Sequence, residues 1–209
     1  MAGGASILSG VGNMATWLEE RRELISICQR AFLLGMQVSS GGNISMRLRD
    51  GLFLFKPSGI SLFDLRKGDL LVADGSGEVV EGKGKPTRDV YAHLNIYRAR
   101  EDVGGIVHYH SPFSTAYAVR GEGVPLKTVH SKRILGKVPV IPPVEDGSDA
   151  MAHWVGKVFS DPKVRAAILS GHGIIAAGSD LRSAENLAEL LEESAKIAFL
   201  SQFMGQSRA

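Results

Sequence analysis

The chain has 209 residues, of which 44% are hydrophobic and 22% charged, with a formal net charge of +2. That length suits one domain with a single well-buried core, and the charge balance supplies no polycation for nucleic acid. The single cysteine, Cys28, excludes an internal disulfide and a cysteine-based zinc site. No run of about 18 apolar residues is available to span a membrane, and a reduced, cytoplasmic setting is expected.

Residues 1–16 begin MAGGASILSGVGNM, with neither a basic start nor a long apolar stretch. They are expected to form a flexible leader rather than a signal peptide, with one domain over 17–209. From Trp17 to Met36, Leu24, Ile27, Cys28, Ala31 and Leu34 fall at helical spacing, and Gly35 is a stop signal. Gly41-Gly42 predicts a tight turn, after which Ile44, Met46 and Leu48 alternate with polar residues as in a strand. LFLFKPSGI returns as a hairpin partner, and the stretch from Asp69 through GSGEVVEG predicts a second strand-turn-strand. Pro86-Thr87 is expected to open a helix with Thr87 as N-cap, followed by Val90, Leu94 and Tyr97 on one face. GGIVHYH predicts a buried strand and PFSTAYAVRG a short helix, while VPLKTVHSKRILGKVPVIPPV predicts short strands broken by prolines. DAMAHWVGKVFSD predicts a helix, RAAILSGHGIIAAG two short strands around a Gly-His-Gly turn, and LRSAENLAELLEESAKIAFLSQFM a long closing helix. Hairpins mixed with helix-linked strands imply an α/β fold of one domain, layered around a mixed central sheet.

The chemistry concentrates in four stretches. His108 and His110 stand two apart on a strand, so both side chains point to one face, an arrangement that suits Zn²⁺. Two hydrogen-bonded core histidines would give the same pattern. In SGHGII, Gly171 and Gly173 leave room for a metal or another backbone to approach His172. GKGKPTRDVYAH places Thr87, Arg88 and Asp89 at a helix start, where free N–H groups favour phosphate; an Asp there also complements the helix dipole. SSGGNIS and FKPSGI are small-residue turns of the kind that make anion-binding nests, or ordinary hairpin turns.

The order SSGGNIS, KPSGI, EGKGKPTRD, IYRAR, DVGGIVHYHSP, SGHGII over residues 20 to 200 resembles the class II aldolase/adducin family. The resemblance implies a three-layer α/β fold with a largely antiparallel sheet and a homotetramer with sites between subunits. It implies a divalent metal, usually Zn²⁺ with Mn²⁺ or Co²⁺ as alternatives, on His108, His110 and His172. It assigns the phosphate of a sugar phosphate to Asn43, Ser58, Gly59, Thr87 and Arg88, and the acid/base carboxylate to Asp89. Cleavage of a ketose 1-phosphate to dihydroxyacetone phosphate and an aldehyde is the activity expected. Epimerase, sugar-acid phosphate decarboxylase, methylthioribulose-1-phosphate dehydratase and non-catalytic adducin-like roles are the alternatives within the family.

This sequence departs from the family pattern at several points. Asp89 stands where aldolases usually carry Glu, and Arg88 where sugar-phosphate members often have Ser. The stretch VHSKRIL has Lys132 where epimerases place an Asp, and no Glu for a dehydratase. The last tyrosine is Tyr117, so the tyrosine that aldolases use from this region or from the C-terminal tail is missing; Lys132 is a candidate substitute. His93, one turn after Asp89, either orients that carboxylate or packs in the core. His130 is a candidate group near the subunit interface, and His153 is expected to be structural.

Overall fold

A computed structural model describes residues 17–204. The expected leader, 1–16, lies outside the described residues. Eight strands form one sheet in the order β4-β3-β2-β1-β5-β8-β7-β6. They are β1 Asn43–Arg47, β2 Phe53–Phe55, β3 Leu71–Ala73, β4 Val79–Glu81, β5 Gly105–Tyr109, β6 Val140–Ile141, β7 Ala166–Leu169 and β8 Gly173–Gly178. Neighbours are antiparallel except β6 and β7. The helices are α1 Leu18–Leu33, α2 Val90–Ala99, α3 Pro112–Val119, α4 Val129–Leu135, α5 Asp149–Phe159 and α6 Leu181–Met204.

Alternation along the strands divides the interior into two cores. Ile44, Val107, Tyr109, Ile174 and Ala176 pack against α1, α3, α4 and α6. Phe53, Phe55, Ile106, Ile175 and Ala177 pack against α2 and α5. Three layers result, as the family resemblance implies.

The α2 face carries a polar ladder from β1. Asn43 Nδ2 donates to Asp89 at 2.7 Å. Ser45 Oγ lies 2.7 Å from His93 Nδ1 and 2.9 Å from the Tyr97 hydroxyl. Arg47 donates to the carbonyls of Tyr97, Arg100 and Val103, serving the open C-terminal end of α2. Residues 43, 45 and 47 share one strand face, and 89, 93 and 97 one helix face, so the rungs follow from the two periods. The α6 face also carries buried polar groups. There the Tyr109 hydroxyl donates to Glu185 Oε2 at 2.6 Å, while Oε1 is buried without a partner among the described residues. Burial pushes the Glu185 carboxyl up to about 7. Farther along α6, Glu192 accepts the Phe113 and Ser114 N–H groups at 2.8 and 2.7 Å, capping α3 from 79 and 78 positions away.

Two expectations are corrected. The stretch expected to form proline-broken strands contains α4, with only Val140–Ile141 as strand. Thr128 caps α4 by accepting the Ser131 N–H at 3.0 Å, and Gly136, at φ 59°, follows its last residue. Pro125, Pro139, Pro142 and Pro143 all lie outside the helix, so they do not oppose it. Helix α2 begins at Val90, not directly after Thr87, and its N-cap is Asp89; Thr87 Oγ1 accepts the Asp89 N–H at 3.3 Å in the turn before it.

Candidate active site

Strands β1, β5 and β8 are neighbours, and their ends bring the chemistry together. Asn43 is the register partner of His108. His110 directly follows β5, and His172 lies in the turn between β7 and β8. The three imidazole centroids are 4.6 to 4.9 Å apart, and one ligand nitrogen from each lies within 4.8 Å of the others. Glycines make this approach possible. A Cβ at Gly173 would sit 2.4 Å from Tyr109 O and 2.9 Å from the His110 ring. Gly42, at φ +63°, would place a Cβ 2.9 Å from His108 O.

The donor set fits a divalent transition metal. His108 Nδ1–H donates to Ile174 O at 2.8 Å, which fixes the tautomer and leaves the Nε2 lone pair free. Among the described residues His110 Nε2 and His172 Nδ1 are buried without partners. Burial, then His172 and His110, hold His108 well below the usual imidazole range; burial and His172 lower His110. Neutral imidazoles are what a metal requires. Three nitrogen donors leave coordination positions open.

Asp89 is nearly buried and does not use its side chain to cap α2. Its Oδ2 accepts from Asn43 and lies 3.9 Å from His108 Nε2, while Oδ1 is buried and unpartnered. His93 is spent on Ser45, and burial pushes it down to about 4, so it packs as a neutral member of the ladder.

A cavity of about 130 Å³ joins the three histidines to Asn43, Ser58, Thr87, Arg88 and Asp89. Gly59 does not line it; at φ +79° it forms the turn after Ser58. Two further wall residues were not singled out from the sequence. Lys56 is buried, with Nζ donating to Ser40 O at 3.2 Å and Pro57 O at 3.1 Å, and burial lowers its pKa. Asp146, between β6 and α5, lies 3.8 Å from His172 Nε2 and 3.3 Å from Arg88 Nη1. Behind the wall, Gln37 accepts the His110 N–H at 2.9 Å. Lys132 and His130 are exposed on α4, away from this cavity; His130 lines a separate one of about 590 Å³ with Arg100 and Arg165. No tyrosine lines the histidine cavity among the described residues. His153 lies on α5, also outside it.

The family described as Class II Aldolase and Adducin N-terminal domain matches residues 22–199. An L-fuculose phosphate aldolase of Methanococcus maripaludis is 34% identical over 179 residues, covering 85% of this chain and 95% of that protein. A 3-oxo-tetronate 4-phosphate decarboxylase of Pectobacterium atrosepticum is 34% identical over 186 residues, covering 86% and 84%. A solved structure of an L-fuculose 1-phosphate aldolase superposes with a TM-score of 0.85 at 31% identity, covering 93% of this chain and 91% of that one.

Proposed function

The chain belongs to the class II aldolase and adducin family as an aldolase-type lyase, and on that footing we propose that it cleaves a ketose 1-phosphate to dihydroxyacetone phosphate and an aldehyde. The observation that carries this reading is the grouping of three histidines with a buried carboxylate in one cavity. A divalent ion on His108, His110 and His172, Zn²⁺ in the first instance with Mn²⁺ or Co²⁺ as alternatives, would supply Lewis-acid stabilisation of the charge that develops on the substrate oxygens. Asp89 moves the proton on the carbon that keeps the electron pair, and Asn43 holds its carboxylate toward the cavity. Ser58, Thr87 and Arg88 bind the phosphate, with the Gly59 turn presenting Ser58 and the Lys56 ammonium adding charge. Following the family, we place the protein in the cytoplasm as a homotetramer with sites at subunit interfaces, which light scattering would check as four chains per particle.

The test is release of dihydroxyacetone phosphate from a panel of ketose 1-phosphates with and without EDTA. Chelator-sensitive release is expected. Failure with every sugar, with metal still bound, would overturn the aldolase assignment. A second reading, decarboxylation of a sugar-acid phosphate, is favoured by the Pectobacterium relative and by Arg88, whose guanidinium suits a carboxylate. Release of CO₂ from a 3-oxo sugar-acid phosphate separates the two.

A further inference from the structure

Retro-aldol cleavage needs two proton transfers. The hydroxyl on the carbon that becomes the aldehyde must lose its proton, and the carbon that keeps the bonding pair must gain one. Asp89 accounts for the second. Nothing in the VHSKRIL stretch serves the first within this chain, since Lys132 and His130 lie on α4 outside the cavity and no tyrosine lines it. Apart from the three histidines, the cavity's ionisable wall residues among those described are Lys56, Arg88, Asp89 and Asp146. Lys56 is locked to two backbone carbonyls, and an arginine stays charged. Asp146 remains.

Its placement suits the task. Asp89 sits beside His108 and Asp146 beside His172, at 3.9 and 3.8 Å, so two carboxylates on different elements approach different histidines of the cluster. Asp146 lies in the segment between β6 and α5, and it is 40% exposed, open to substrate and to water. Among the described residues its one hydrogen-bonded side-chain partner is Arg88, at 3.3 Å, with the Arg88 side chain 72% exposed. Such an exposed pair parts easily when an anion draws the guanidinium away. Gly147, at φ +69°, lies against Arg88; a Cβ there would come 2.7 Å from Arg88 Cβ, so the turn holding Asp146 is fitted closely to Arg88.

We infer that Asp146 is the second proton carrier of this site, taking the hydroxyl proton from the carbon that becomes the aldehyde while Asp89 serves the other fragment. The inference rests on the aldolase reading. In the cleavage direction the O–H bond breaks and its proton passes to Asp146. The oxygen pair forms the aldehyde C=O, the C3–C4 bond breaks, and its pair stays on C3. Asp89 delivers a proton to C3, and the proton on Asp146 returns through water to restore Asp89. No proton is gained or lost overall, and no further reactant is needed.

The two halves separate experimentally. Exchange of the C3 hydrogen of dihydroxyacetone phosphate with D₂O, followed by NMR, needs only the Asp89 half, whereas cleavage needs both. For Asp146→Asn in the full chain, cleavage is expected to fall at least about 100-fold. Exchange should stay within about threefold of the parent, metal content should be unchanged, and Asp146→Glu should recover part of the cleavage. Cleavage by Asp146→Asn within about threefold of the parent would overturn the assignment. So would joint loss of exchange and metal, which would make Asp146 a structural or metal-holding group. If the unsubstituted protein neither cleaves nor exchanges, the aldolase reading itself fails and takes this inference with it.

Discussion

The two faces of the sheet solve the problem of buried polarity differently. On the α2 face, β1 and α2 exchange partners rung by rung, and the last rung, Asn43 to Asp89, opens into the histidine cavity. On the α6 face, Tyr109 points away from the site between two histidines and meets Glu185, whose second oxygen has no partner. Strand β5 thus carries site chemistry on one side and, on the other, the tyrosine that meets a buried acid of α6. The contrast teaches that the carboxylate at the site, Asp89, is tied into a network of hydrogen bonds, whereas Glu185 behind it has a single hydrogen-bond partner among the described residues.

The largest test of that contrast is His108→Ala. It removes one of three donors and is expected to abolish metal binding, measured by metal analysis, and to lower turnover by at least about 1,000-fold. Full activity in that variant would undo the assignment of the cluster.

On the other face the expected effect is on stability and its pH dependence. The Glu185 carboxyl is raised from 4.5 to about 7 in the folded state. The folded chain therefore binds this proton more tightly than the unfolded one between those values. Stability from this group is present below about 4.5, falls as pH rises toward 7, and is flat above. At roughly 1.4 kcal/mol for each pH unit, the loss is about 3 kcal/mol. Denaturant titrations at pH 5 and pH 8 should show that slope in the parent and not in Glu185→Gln, while the kcat of the folded variant stays near the parent value. A pH-independent parent would contradict the raised carboxyl.

The smallest effect sharpens the ladder. Ser45→Ala leaves His93 and Tyr97 without their shared hydroxyl and should cost about 2 kcal/mol. If the ladder also steadies Asp89, kcat falls a few-fold while KM is unchanged. A stability loss with kcat untouched would show that the rungs act independently.

Much of this was legible in the sequence. The alternation of His108 and His110 predicts a shared face and the glycines around His172 a close approach, and strand register with close backbone packing delivers both. What escaped was set by distant contacts. Lys56 looks like any lysine before a turn; one of its two acceptors is the carbonyl of Ser40, 16 positions away. Asp146 sits in a non-repeating segment between β6 and α5 with no periodicity to mark it. Helix α4 was hidden because seven residues are too few for a period to show among flanking prolines, and its local signs were the cap at Thr128 and the glycine Gly136.

Glu192 carries one more consequence. The chain leaves His110 and enters α3 within two residues, and the first N–H groups of α3 are satisfied by a carboxylate on the final helix. During synthesis α3 emerges long before α6, so it waits uncapped until the last helix has been made and docked. The exit from β5, the strand that carries His108, is therefore expected to be among the last parts of the molecule to settle, and a nascent chain lacking α6 is expected to have its histidines but not a finished site.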